Sequence, residues 1–354
     1  MINARASNRL LEPARPGTRS SRLLLLLSKH ERAQFFPGRS LEESLGPLPL
    51  TVHEVPAAIP PGEFRALLAT FRPEIILGAW SMPPLSRELL DLCPSLRYLC
   101  YLTGSVRRKV DRSFLERGGI VTNWGDAISP SVAECALMLT LMCLRQANRH
   151  ALEMHVDRTW TWTHPDSRSL FGKRIGLHGF GAVARALLSL LRPFGAVVEA
   201  YSEPVPPEVF AAHGVRQAAS LASLYRGNTA VIVVEALTPN TRNSVGMEVL
   251  REMQPGSAFV NVARGAIVDD AALLWLASRG EVQIGLDVYS EEPLPADSPL
   301  RGMRNVVLLP HTAGPTPDWY PECARRAIGN LTDFLQKRKP KDSLPLERYD
   351  DHSI

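Results

Sequence analysis

Short apolar runs, separated by helical patterns, recur along the whole chain and leave it few folds to choose from. They occupy 23–27, 51–55, 74–77, 97–101 and 119–122 in the first third, then 174–177, 197–201, 230–234, 258–262, 283–288 and 305–309. Most are nearly continuous rather than alternating, the pattern of strands buried on both faces. Strands that alternate with helices build βαβ units and parallel sheets. Two such sets in 354 residues predict two doubly wound α/β domains.

The join falls in 129–149. Ser129 is suited to cap a helix whose first position is Pro130. From Val132 to Met142 that helix is apolar nearly all round, so it is expected to be buried, between the two domains. The following Thr159-Trp160-Thr161-Trp162-Thr163-His164 reads as a connector with packed loop aromatics, and the charged run 336–341 as a solvated face.

Charge sits unevenly. Residues 1–22 contain five arginines and one acid, leaving 35 of the 40 basic and 35 of the 36 acidic residues for the rest of the chain. The body is therefore neutral, which argues against a nucleic-acid surface, and 1–22 reads as a disordered basic tail. The run 23–27 is far shorter than the ~20 residues of a membrane span and too short for the ~7–15 of a secretory segment. No later run reaches membrane length without charge or proline. Five cysteines without a CxxC, and no HExxH, argue against a disulfide framework or a metal and for a reducing, cytoplasmic setting.

The sharpest local motif is Arg174-Ile175-Gly176-Leu177-His178-Gly179-Phe180-Gly181-Ala182-Val183-Ala184. A strand runs into two glycines one residue apart, and a helix opens at Ala182. Gly179 permits a tight turn, Gly181 lets backbone approach a pyrophosphate, and the helix N-terminus carries positive potential. Ala184 stands where a third glycine is usual. The next strand ends Tyr201-Ser202-Glu203, with Ser202 at the position where an acid ordinarily holds the ribose hydroxyls. NAD is the coenzyme expected, with NADP left open, and Ser202 by itself predicts only modest discrimination between them.

Three later segments each bring a polar residue to the C-terminal end of an apolar strand. They are Asn261-Val262-Ala263-Arg264-Gly265, Asp287-Val288-Tyr289-Ser290-Glu291-Glu292-Pro293, and Pro310-His311-Thr312-Ala313-Gly314. That edge is where open α/β sheets bind ligands. In order and spacing these motifs, with the glycine loop, resemble the D-isomer-specific 2-hydroxyacid dehydrogenase family over about residues 60 to 340. The loop Thr103-Gly104-Ser105-Val106 is similar to the family's substrate loop, and Val132-Ala133-Glu134 to its interdomain helix.

The resemblance implies a flavodoxin-like substrate domain (23–126 plus 316–354), a Rossmann NAD(P)-binding domain (127–315) and a cleft between them. It implies hydride transfer between a nicotinamide and a small 2-keto or D-2-hydroxy acid, in the manner of glyoxylate/hydroxypyruvate reductases or phosphoglycerate dehydrogenases. His311 would be the general acid/base, Glu292 would orient it and favour its charged form, and Arg264 would bind the substrate carboxylate. Ser105 and Val106 would add backbone N–H groups to that carboxylate. Gly179, Phe180, Gly181, Ala182, Val183, Ser202, Val262, Ala263, Arg264, Asp287, His311 and Gly314 would contact the coenzyme, Asp287 by accepting from the nicotinamide amide. A homodimer is implied, with neither nucleic acid nor membrane as partner.

The departures are Val106 for a second loop glycine, the cationic Arg107-Arg108-Lys109 after it, and Leu309 before Pro310. They bear on the substrate more than on the reaction. Glu292 argues against the formate dehydrogenase branch, which has Gln there. The alternative function is a dinucleotide-sensing corepressor-like regulator without turnover.

Overall fold

The computed structural model describes residues 20–56, 58–162, 165–203 and 205–349. Residues 1–19, most of the expected tail, lie outside the described residues, as do Thr163 and His164 of the connector. The chain divides into two compact units, Ser129–Thr316 and the remainder (Met1–Ile128 with Pro317–Ile354).

The first unit holds a five-stranded sheet. Its strands are β1 (Ser21–Leu27), β2 (Leu50–Pro56), β3 (Ile75–Gly78), β4 (Tyr98–Tyr101) and β5 (Ile120–Thr122). All pairs are parallel, in the order β2-β1-β3-β4-β5. Ser21 and Arg22, placed in the tail by sequence, belong to β1, because their backbone continues the pairing with Leu50 and Thr51. The leucines of β1 alternate between two core clusters. Leu23, Leu25 and Leu27 pack with Phe35 and Phe36, and Leu24 and Leu26 with Phe64, Leu68 and Phe114. Each buried leucine contributes about 1.5–3 kcal/mol, so this run anchors both layers. The late helix Tyr320–Leu335 returns to this unit and sinks Cys323, Ala324, Ala327 and Leu331 into the same core as Phe35.

The second unit holds a seven-stranded sheet. Its strands are β6 (Arg174–His178), β7 (Val197–Tyr201), β8 (Arg216–Gln217), β9 (Ala230–Val233), β10 (Ala258–Asn261), β11 (Gln283–Leu286) and β12 (Val306–Leu308). The order is β12-β11-β10-β9-β6-β7-β8. The chain works outward from β6 to β8, then crosses back to β9, so the order reverses between β6 and β9. Ligands bind such sheets at that switch point, outside the carboxyl ends of the strands. The two-residue β8 has no sequence signature and is absent from the predicted set.

The helix Ser129–Leu144 begins at Ser129 itself, one residue earlier than predicted, and packs on the helix Ala182–Leu191 and on β10 and β11. It is not buried all round. Val132, Ala136, Leu139 and Cys143 are inside, whereas Met138 on the opposite side is 42% exposed. The connector aromatics are not packed as expected either. Trp160 and Trp162 are 68% and 84% exposed and meet mainly each other, edge to face at 5.9 Å.

His178, at the end of β6, is buried with Nδ1 3.3 Å from the Tyr225 hydroxyl. Burial alone pulls its imidazole down to about 4. The unfolded chain therefore binds a proton near pH 6.5 that the folded chain refuses until about pH 4, and stability is lost as pH falls through that window. The loss attributable to His178 is at most about 3 kcal/mol. Urea unfolding of wild type from pH 7.5 to 4.5 is expected to show this slope, and His178→Gln a shallower one. Equal slopes would assign the acid sensitivity to other groups.

Candidate active site

At the end of β6 the backbone turns through Gly179 at φ +109°, and the Gly179 N–H donates to the Tyr201 carbonyl at 2.8 Å. A Cβ there would come within 2.5 Å of the Glu235 nitrogen, so only glycine fits between the two segments. Gly181 is the N-cap of the ten-residue helix Ala182–Leu191. No side chain caps that helix, and the space where a Gly181 Cβ would stand is open. Uncapped N–H groups at an open glycine suit a pyrophosphate. Ala182 is exposed and Val183 half-buried beside them. The Phe180 ring is instead fully buried against Phe210, with centroids 4.8 Å apart.

The second cluster is built on the carboxyl ends of β10, β11 and β12. After β10, Asn261 braces the turn by accepting from Ala263 N–H at 3.0 Å and donating to the Arg264 carbonyl at 3.1 Å. Val262 and Ala263 are buried, which leaves backbone as their main polar offering. Arg264 is half-buried, with Nη1 donating to the Ala263 carbonyl at 2.7 Å. Burial holds its guanidinium below the ordinary value, and the Glu292 charge nearby opposes that shift.

Gly265 locks this turn to the next one. A Cβ on it would lie 1.9 Å from the Tyr289 carbonyl carbon and 2.2 Å from the Ser290 nitrogen. Glu292 accepts from the Tyr289 N–H through Oε1 at 2.9 Å, and its Oε2 is 2.7 Å from His311 Nδ1. The Tyr289 hydroxyl donates to the Leu309 carbonyl at 2.8 Å and thereby ties this turn to the end of β12. An ionised carboxylate only accepts, so Nδ1 carries the ring hydrogen. With the His311 side chain 46% exposed, Nε2 is the nitrogen left for a ligand.

His311 sits at φ +55°, a left-handed conformation that is uncommon outside glycine and has to be held. Asp287 holds it. The His311 N–H donates to the Asp287 carbonyl at 2.8 Å, and the Asp287 carboxylate takes the Thr312 and Ala313 N–H groups at 2.7 and 3.0 Å. Asp287 is fully buried, and its carboxylate and carbonyl hold this turn. Gly314 accepts from the Ser131 hydroxyl at 2.7 Å, which fastens the turn to the long helix. Asn261, Gly265 and Tyr289 lie inside the motif segments 261–265 and 287–293 but carry no role that the sequence alone assigns.

Ser202, one residue past β7, is buried and donates to Glu235 Oε2 at 2.6 Å, while Glu203 accepts from the Tyr201 hydroxyl at 2.9 Å. In the first unit, the Val106 side chain is fully buried in a core cluster, and Ser105 is half-buried. Arg107 and Arg108 are exposed, whereas Lys109 turns inward to the carbonyls of Trp80 and Met82.

Residues 137–313 match the model of the D-isomer-specific 2-hydroxyacid dehydrogenase NAD-binding domain. The chain is 31% identical over 261 residues to a glyoxylate/hydroxypyruvate reductase of Arabidopsis thaliana, covering 72% of this chain and 78% of that protein. This chain belongs to the D-isomer-specific 2-hydroxyacid dehydrogenase family.

It is also 28% identical over 266 residues to a D-3-phosphoglycerate dehydrogenase of Methanocaldococcus jannaschii, covering 75% of this chain but only 49% of that protein. The crystal structure of a glyoxylate reductase from Paecilomyes thermophila superimposes with a TM-score of 0.76 at 25% identity, over 92% of this chain and 99% of that one. The two parallel sheets are thus the family's fold, and the NAD-binding match falls on the unit with the glycine loop. Among the described residues no helix is long and apolar enough to cross a membrane.

Proposed function

We propose that this dehydrogenase reduces a small 2-keto acid to its D-2-hydroxy acid with a nicotinamide dinucleotide, and that Arg264, Glu292 and His311 carry the chemistry. The observation that supports this most is the 2.7 Å His311–Glu292 contact, made from the ends of two adjacent strands with Arg264 in electrostatic reach of Glu292. The bound coenzyme supplies the hydride that adds to the keto carbon. His311 gives the Nε2 proton to the keto oxygen, and Glu292 holds the ring in place through Nδ1. Arg264 offers a charged planar fork to the substrate carboxylate, which fixes the carbonyl for attack.

The open Gly181 and the uncapped helix fit the pyrophosphate, with Gly179, Phe180, Ala182 and Val183 contributing backbone. Val262, Ala263 and Gly314 are assigned to the nicotinamide end. The substrate class follows the relatives, among them the glyoxylate reductase of Thermococcus kodakarensis. We further propose a homodimer formed through the second unit, where Met138, Met154, Val156, Trp160 and Trp162 are uncovered. Five free thiols support a reducing, cytoplasmic setting.

The test is a reduction screen at 340 nm with NADH and NADPH against glyoxylate, hydroxypyruvate, pyruvate, phenylpyruvate and phosphohydroxypyruvate. Turnover of at least one is expected. Tight dinucleotide binding with no turnover of any of them would favour the regulator.

A further inference from the structure

The acid missing from the end of β7 is supplied from the other side of β6. Glu235 follows β9 by two residues, and β7 and β9 are the two neighbours of β6. Its backbone lies directly on Gly179, and its side chain reaches Ser202 Oγ at 2.6 Å, bridging the carboxyl end of β6. The other oxygen accepts from the Ala236 N–H at 3.0 Å.

We propose that Glu235, positioned by Ser202, binds the adenosine ribose hydroxyls of NAD and excludes the 2′-phosphate of NADP. The inference rests on the dinucleotide reading of the glycine loop given above. An ionised carboxylate has about four lone-pair sites, and Ser202 and Ala236 take one on each oxygen. One acceptor site per oxygen is left, the number that a vicinal diol needs. Ser202 spends its hydroxyl hydrogen on Glu235, so a serine at the end of β7 acts here by holding a carboxylate rather than by making room for a phosphate.

The same arrangement repels a phosphate. A 2′-phosphate carries about −1.5 to −2 charges near pH 7, and it would meet Glu235 with Glu203 close by on the next residue after Ser202. Among the described residues neither carboxylate is in an ion pair with a cation that could compensate. Like charges brought together cost several kcal/mol. Strong preference for NAD therefore replaces the modest discrimination that Ser202 alone predicts.

The experiment is fluorescence titration of the full-length protein, without substrate, using NADH, NADPH, ADP-ribose and 2′-phospho-ADP-ribose. Wild type is expected to bind NADH about 100-fold or more tightly than NADPH, with the same order for the two fragments. Glu235→Gln, which keeps the shape and drops the charge, is expected to narrow that ratio at least about tenfold, chiefly through tighter NADPH. Ser202→Ala is expected to narrow it less, and Ser202→Thr to restore it. A wild-type ratio below about tenfold, or a ratio unmoved in Glu235→Gln, overturns the assignment while leaving the dinucleotide site standing. Binding of neither coenzyme overturns both.

Discussion

Replacing His311 with alanine is expected to lower kcat for keto-acid reduction by about 10²–10⁴, the usual worth of a positioned general acid, with NADH affinity unchanged within a few-fold. The size follows from the site's construction. The ring is committed through Nδ1 to Glu292, and the backbone that carries it is held at φ +55° by three contacts to Asp287, from His311, Thr312 and Ala313 N–H. A ring held so tightly is a poor candidate for a merely solvated surface histidine. Pre-steady-state reduction of the best keto acid from the screen, with coenzyme affinity measured separately, gives both quantities. Full turnover in His311→Ala would remove the residue from the mechanism.

Gly265→Ala is the second large effect, and it acts through backbone. The new methyl would sit 1.9 Å from the Tyr289 carbonyl carbon, a contact no rotamer can relieve. Either the Arg264 turn or the Tyr289–Glu292 turn must move. Overpacking of this kind costs about 1–3 kcal/mol of stability. A displacement near 1 Å at a catalytic group costs about 10²-fold in rate. The variant is therefore expected to fold with a lowered urea midpoint and to lose about 10²-fold or more in kcat/KM. Gly329→Ala, in the helix Tyr320–Leu335 with open space around the added methyl, serves as control and is expected to be neutral or slightly stabilising. If both variants retained wild-type activity, the backbone lock between the two turns would carry no functional weight.

All strands except β8 were legible in the sequence, most of them because burial on both faces makes a dense apolar run, as in 23–27, whose leucines feed two separate cores. Arg264, Glu292 and His311 could be put forward from the sequence because each follows such a run within a compact motif. What was hidden depends on distant pairs. The Ser202–Glu235 contact joins residues 33 apart and reverses the meaning of a serine at the end of β7. The two N–H groups held by the Asp287 carboxylate lie 25 and 26 residues on and cannot be read from its own motif. Trp160 and Trp162 were expected to pack because aromatics usually do, but this chain leaves them uncovered.

The His311–Glu292 pair is best tested as a unit, through the four-membered cycle of wild type, Glu292→Gln, His311→Ala and the double variant, measured as kcat/KM for reduction of one keto acid by NADH. Groups that work through each other are strongly non-additive. Glu292→Gln alone is expected to slow the reaction at least about tenfold, and to change it by less than about threefold once His311 is gone. If the two losses simply multiplied in the double variant, Glu292 would act on the reaction independently of His311, contrary to the contact at 2.7 Å.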